Sequence, residues 1–131
     1  MQTVQKYEEI CRKILALDNR IRAAALVDIT GDKIAIEIRA DVVDKKLVPL
    51  GTMPRWGHVL GVVPWNAAEN LERYFGTASE VIFRFEKIDF CLMRHKSKEA
   101  LIQDKLLVLT IEKGTEILEL FQSIRQILAG T

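Results

Sequence analysis

The sequence offers few side chains that could carry catalysis or hold a metal. Its histidines are His58 and His95, and neither has a cysteine or second histidine at the spacing of zinc ligands. Cys11 lies in a helical pattern and Cys91 in a strand pattern, with no general base evident for either. We therefore expect no catalytic residue, metal or cofactor. We interpret both cysteines as core, His58 as a partly buried, hydrogen-bonded side chain, and His95 as a loop residue.

Two further patterns have a structural explanation. Asp28 and Asp32 flank Gly31 and could share a cation, but turns recruit aspartates to bond nearby backbone N–H groups, and we favour that interpretation. Gly57 and Gly61 lack the GxxxxGK[ST] pattern of a phosphate-binding loop. No acid–base pair, nucleophile or nucleotide site is indicated, so we expect the chain not to be an enzyme.

Other residues indicate binding rather than catalysis. Trp56 and Trp65 lie within ten residues of each other, and tryptophan is enriched at binding hot spots; core tryptophans that cover a sheet are an equal alternative. Downstream, Arg94, Lys96 and Lys98 could meet an acidic or phosphate-bearing partner, but we favour a solvated loop. No aromatic residues interleave with these cations, so nucleic acid is not an expected partner.

Composition sets the class of protein. A length of 131 residues suits a single domain over residues 1–131, and the net charge of +1 provides no field that would attract nucleic acid or an anionic membrane. The sequence has no apolar run of the roughly eighteen residues that a membrane-spanning helix needs, and no signal-peptide core at its start. Two sparse cysteines indicate a reduced, cytoplasmic setting.

Hydrophobic periodicity predicts the elements of the fold. Continuous apolar runs indicate strands buried on both faces, and alternation indicates strands with one wet face. The predicted elements are a helix over Val4–Leu17 capped by Thr3, a hairpin of strands Ile21–Asp28 and Ile34–Arg39, a hairpin of strands Ser79–Phe85 and Ile88–Met93, a strand Leu106–Ile111, and a final helix that Thr115 caps and Gly130 ends.

The middle region is the hardest to interpret. The three prolines cluster here, and its first part, from Asp41, is predicted to be a loop. Asn66 and Glu69 form a capping-box pattern ahead of a helix over Ala67–Phe75. The helical spacing of apolar residues extends this helix back to Arg55, with a kink where the last proline removes a backbone donor.

These elements predict an α/β (α+β) domain of order α-β-β-α-β-β-β-α. A five-stranded, mainly antiparallel sheet lies between the middle helix and the N- and C-terminal helices. One edge, Ile34–Arg39, is protected by its own charges. The other, Glu80–Phe85, has only Arg84 within an apolar run, so we expect a second copy to dock there across a two-fold axis.

The element order, the turn Asp28-Ile29-Thr30-Gly31-Asp32, the helix–hairpin segment from Leu71 to Met93 and the closing amphipathic helix resemble the roadblock / dynein light chain family, in particular its compact archaeal and bacterial members. Longin and profilin-like domains have related sheets. The resemblance implies a homodimer, or a heterodimer with a paralogue, that acts as a non-enzymatic platform for small Ras-like GTPases or larger assemblies. The implied dimer interface comprises Trp56, Val59, Leu60, Val63, Val81, Phe83 and Phe85, and Trp65, Arg94, Lys96 and Lys98 are candidate partner contacts.

A small-molecule sensor of profilin-like or PAS/GAF-like type is the alternative. In that case Trp56, His58 and Trp65 would line a pocket of a few hundred cubic ångströms against the sheet. The sequence does not identify the partner, distinguish a homodimer from a heterodimer, or indicate an effect on GTP hydrolysis.

Overall fold

The computed structural model describes residues 2–43, 61–94 and 105–130. Within these ranges the chain forms helices and strands in the predicted order, with one additional short helix over Ala40–Val43, where a loop from Asp41 was wrongly predicted. The elements are α1 Gln2–Leu15, β1 Ile21–Val27, β2 Lys33–Ile38, α2 Ala40–Val43, α3 Val63–Phe75, β3 Glu80–Arg84, β4 Ile88–Arg94, β5 Leu106–Glu112 and α4 Ile117–Ala129.

The strands form one antiparallel sheet in the order β2-β1-β5-β4-β3. The three strands with continuous apolar sequence, β1, β4 and β5, lie in its interior, because they can bury side chains on both faces. The strands β2 and β3 form the two edges of the described sheet. The predicted α/β fold and its two edge strands are thereby confirmed.

The sheet is covered on both faces, as predicted. On one face, α1 and α4 contribute Cys11, Ile14 and Phe121 to a core cluster that includes Cys91 and Leu109 of the sheet. On the other face, the start of α3 inserts Trp65 between side chains of β1, β4 and β5. Both cysteines are fully buried, which confirms their interpretation as core residues.

The turn between β1 and β2 is built on aspartate. Asp28 Oδ1 accepts hydrogen bonds from the backbone N–H groups of Thr30, at 2.9 Å, and Asp32, at 3.0 Å. Gly31 has φ of +88°, a conformation that side chains disfavour. The same Asp28 oxygen accepts the Thr30 hydroxyl at 2.6 Å, and this bond is the main reason that the pKa of Asp28 is lowered. Asp28 is therefore the structural turn residue that the sequence predicted.

The predicted ends of the helices are less accurate. The first helix begins at Gln2, so Thr3 lies within it rather than capping it. The last helix begins at Ile117, and the Thr115 hydroxyl instead donates to the carbonyl oxygen of Glu112 at 2.7 Å. The prediction of Thr115 as the cap was wrong, because its hydroxyl bonds a carbonyl group at the end of β5 instead of a backbone N–H of the helix.

The predicted capping box in α3 is also wrong. The α-helix begins at Val63, directly after Gly61 and Val62, which have π-helical geometry, and Pro64 lies in its first turn. Asn66 therefore lies inside the helix. The Glu69 carboxylate does not reach back to Asn66 but accepts a hydrogen bond from the indole of Trp65 at 2.6 Å. The predicted extension from Arg55 to Leu60 lies outside the described residues.

Candidate dimerisation surface

Part of the outer face of α3 is apolar although it points away from the sheet. Leu71, Tyr74 and Phe75 are 50%, 66% and 83% exposed, and Val63 is also exposed at the start of the helix. Their spacing places them along one side of the helix, and Trp65 is buried on the opposite side. We call Val63, Leu71, Tyr74 and Phe75 the α3 stripe. Grouped apolar side chains on a surface mark interaction sites far more often than single ones do.

Beside α3 lies the edge strand β3. The backbone N–H of Phe85 donates to the carbonyl oxygen of Ile88 at 3.0 Å, which fixes the hydrogen-bonding phase of the hairpin. Because this phase alternates along an antiparallel pair, the backbone groups of Val81 and Phe83 point towards β4. Those of Glu80, Ile82 and Arg84 point outwards, where the described sheet has no further strand.

The side chains of β3 on the α3 side of the sheet are aromatic and aliphatic. Val81 and Phe83 are half-buried against the cluster around Trp65, and Phe85 is 51% exposed. The ring of Phe83 lies 6.2 Å from that of Phe90 and 6.4 Å from that of Phe85, measured between centroids. The apolar surface of the edge is thus continuous with the core rather than detached from it.

The stripe and the edge belong to one surface. The helix α3 contacts β3, and the short segment between them is fixed because the backbone N–H of Ala78 donates to Glu72 Oε2 at 2.6 Å. Gly76 ends the helix with φ of +90°. An exposed apolar helix side and an unpaired strand edge therefore lie next to each other, an arrangement that a second protein surface can cover on both elements.

The predicted interface residues divide into two groups. Val63, Val81 and Phe83 lie on α3 or β3, and Phe85 directly follows β3, so all four lie on or beside this surface. Trp56, Val59 and Leu60 lie outside the described residues. The sequence analysis did not assign Leu71, Tyr74 and Phe75 to the interface. Their signal was a helix with apolar residues on two sides, only one of which can face its own sheet.

The candidate partner contacts are placed differently. Trp65 is only 2% exposed, which corresponds to the core alternative considered for the tryptophans. Arg94 forms an ion pair with Glu69, so it joins β4 to α3. Lys96 and Lys98, like His58 and His95, lie outside the described residues.

The pocket expected of a small-molecule sensor has one described member. Trp65 borders a recess of about 40 Å³, together with Ile29, Val62, Asn66, Arg94 and Leu106. Pockets that enclose small molecules typically measure about 300–1,000 Å³. The recess between the described residues is therefore too small to hold such a ligand.

Ion pairs join the start of β1 and the end of β5 to the segment that follows β2. Glu112 Oε1 accepts hydrogen bonds from Arg39, at 2.8 Å, and from Arg22, at 3.4 Å, and Arg39 also donates to Asp41. The hydrogen bond from Arg39 is the main reason that the pKa of Glu112 lies below its ordinary value. The positive and negative charges of these residues balance, and their ion pairs hold this corner of the sheet together.

Burial controls the reactivity of the two thiols. Desolvation raises the pKa of both Cys11 and Cys91 to about 12, so both are protonated at neutral pH. In the described part of the chain, no three His, Cys, Asp or Glu side chains come together as a metal would require. None of the described helices has both the length and the apolar character needed to cross a membrane.

Solved structures with this chain path are roadblock-like proteins. MglB of Myxococcus xanthus aligns with a TM-score of 0.70 at 13% sequence identity, over 96% of this chain and 84% of that one. The Roadblock/LC7 domain from Streptomyces avermitilis aligns with a TM-score of 0.62 at 8% identity, over 94% of this chain and 92% of that one. MglB with a tetrameric arrangement aligns with a TM-score of 0.62 at 16% identity, over 98% of this chain and 91% of that one.

By sequence, the chain matches no protein-family profile and no curated protein. The structural alignments cover nearly all of it, so the whole chain has a roadblock-like fold. The resemblance inferred from element order and pattern is confirmed at the level of the fold.

Proposed function

We propose that this protein forms a homodimer through the α3 stripe and the β3 edge, and that the dimer is a non-enzymatic platform that binds and regulates a small Ras-like GTPase. The observation that carries the proposal is the exposed apolar side of α3 next to an edge strand that pairs, within the described residues, only with β4. A roadblock-like fold supports it, since the family resemblance implies dimeric platforms. One structural neighbour, MglB, is described with a tetrameric arrangement.

A second copy suits this surface better than an unrelated peptide would. An antiparallel pair of β3 strands related by a two-fold axis can extend the sheet, because each edge offers the same backbone donors and acceptors. The same axis brings the two α3 stripes towards each other, so the exposed apolar residues of both copies are covered. A peptide added to the edge would leave Leu71 and Tyr74 in water.

Oligomeric state tests the first part of the proposal. Multi-angle light scattering should give twice the 14.9 kDa mass of the chain, and Phe83→Asp should give a folded monomer. Because Phe83 is half-buried, Phe85→Asp provides a second variant at a more exposed position directly after the same strand. Circular dichroism shows whether each variant is folded. A wild-type monomer at all concentrations, or a dimer unaffected by both variants, would contradict the proposed interface.

Titration with GTPases tests the second part. Small Ras-like GTPases encoded in the same genome are purified and loaded with GDP or a non-hydrolysable GTP analogue. We expect one of them to bind the wild-type dimer with a preference for one nucleotide state, and to bind the Phe85→Asp monomer more weakly because the composite surface is divided. Equal binding by dimer and monomer would contradict the platform role, and binding by none would contradict the choice of partner.

A further inference from the structure

The free edge of β3 carries one acidic and one basic residue at positions that matter for pairing. Glu80, Ile82 and Arg84 are the three residues whose backbone groups point outwards. Their side chains share one face of the sheet, where Ile82 packs against the α1 and α4 cluster. An acid and a base thus flank a central isoleucine with the same spacing on each side.

We propose that two copies pair through β3 in the antiparallel alignment whose two-fold axis lies at Ile82, so that Glu80 of each copy faces Arg84 of the other. This inference rests on the proposed dimer and specifies its alignment. In this arrangement the two Ile82 residues face each other, and all three outward-pointing residues of each strand take part in the new ladder. Both charged pairs are attractive, and the axis generates the second from the first.

Other alignments lose these interactions. An axis at Glu80 places the two glutamates opposite each other, and an axis at Arg84 does the same with the two arginines. Both alignments are disfavoured because like charges directly opposite each other are destabilising. An axis at Val81 or Phe83 pairs a charged residue with Ile82 and leaves one outward-pointing residue of each strand without a partner position. Among the alignments open to this edge, the one centred on Ile82 pairs every charge with its opposite.

The surroundings of both charges fit this role. Within the described residues, Arg84 is exposed and forms no ion pair, so its guanidinium is available to another chain. Glu80 forms an ion pair with Arg125 of α4, which holds its carboxylate on the face where the partner's Arg84 would arrive.

Two charge reversals and their mixture test the alignment. In Glu80→Arg, the new cation faces the partner's Arg84. In Arg84→Glu, the new anion faces the partner's Glu80. Each variant alone should therefore dimerise about tenfold more weakly than wild type. An equimolar mixture forms heterodimers in which both contacts are again between opposite charges. Sedimentation velocity and native mass spectrometry should therefore show heterodimers with nearly the wild-type dissociation constant.

Controls separate alignment from folding. Arg125→Gln removes the ion pair within the chain while leaving β3 unchanged, and Lys33→Glu reverses a charge on the β2 edge; both should dimerise nearly as wild type does. If wild type dimerises but the mixture shows no preference for heterodimers, the alignment is wrong and the proposed dimer stands. If wild type stays monomeric, the proposed dimer itself is wrong.

Discussion

Replacement of Leu71 tests the energetics of the α3 stripe directly. Half of this side chain is exposed, at 50%, and burial of a whole leucine contributes about 1.5–3 kcal/mol. Covering the exposed half therefore contributes about 1 kcal/mol per copy, or about 2 kcal/mol per two-fold dimer. Leu71→Ala should accordingly weaken the dimer roughly 30-fold. Leu71→Glu should weaken it further, because two carboxylates would lose water without gaining partners.

Sedimentation equilibrium over a range of concentrations measures the dissociation constants. The matched control is Leu118→Glu, which introduces the same charge at a leucine of α4 that is 72% exposed and lies on the opposite side of the sheet from α3. We expect it to leave the dimer unchanged. Because Leu71 lies at the surface, the free energy of unfolding of the isolated monomer should change by no more than about 0.5 kcal/mol in either Leu71 variant.

The reasoning would be refuted by a Leu71→Glu protein that dimerises as tightly as wild type, or by equal weakening in Leu118→Glu. The first result would show that nothing covers the α3 stripe in the dimer. The second would show that added negative charge, rather than lost apolar contact, explains the change.

Three further properties follow from the described residues. Since burial raises the pKa of Cys11 and Cys91 to about 12, iodoacetamide at pH 8 should leave both unmodified in the folded protein and alkylate both in urea, as read by mass spectrometry. Gly76→Ala should lower the free energy of unfolding by about 1–3 kcal/mol, because Gly76 has φ of +90°. Arg39 lowers the pKa of Glu112, so this pair should stabilise the protein above pH 4.5, the ordinary glutamate pKa. The stabilisation should be lost as the pH falls through the lowered pKa of the folded protein. Urea titrations should show a smaller loss of stability at acid pH in Glu112→Gln than in wild type.

Each of these has a simple comparison. Gly130→Ala places a methyl group at a helix end with φ of −80°, so it should cost much less than Gly76→Ala. An added Cβ at Gly76 meets no atom within 4 Å, which means that equal losses in both variants would contradict the backbone explanation. Rapid alkylation of the folded protein would contradict the burial of the thiols. An unchanged acid titration in Glu112→Gln would show that the ion pairs around it contribute no pH-dependent stability.

The element order and the layers were predictable because they depend on patterns of apolar residues along the chain. Continuous runs in β1, β4 and β5 require burial on both faces, and this requirement alone assigns them to the interior of a sheet. Turn chemistry was equally local, as the bonds of Asp28 show. The helix starts were not predictable in this way. Thr115 and Asn66 had suitable side chains for caps, but competing partners and an earlier helix start changed their roles.

The candidate surface was only half predictable. The sequence predicted β3 as an edge with an apolar run, and the family resemblance implied Val63. It could not divide the apolar residues of α3 between an inner and an outer side, because that division depends on how the helix is rotated over the sheet. The packing of Trp65 decides this rotation, and it turns Leu71 and Tyr74 towards water.

The sequence by itself determined which segments are strands and helices, and that two strands would lie at the edges, because hydrophobic period and turn residues act over a few neighbouring positions. Only the tertiary structure decided that Glu80, Ile82 and Arg84 face outwards, since this follows from the hydrogen-bonding phase of one hairpin. It also decided that the exposed side of α3 lies beside them. Both are relations between segments, which the pattern of a few neighbouring residues does not determine.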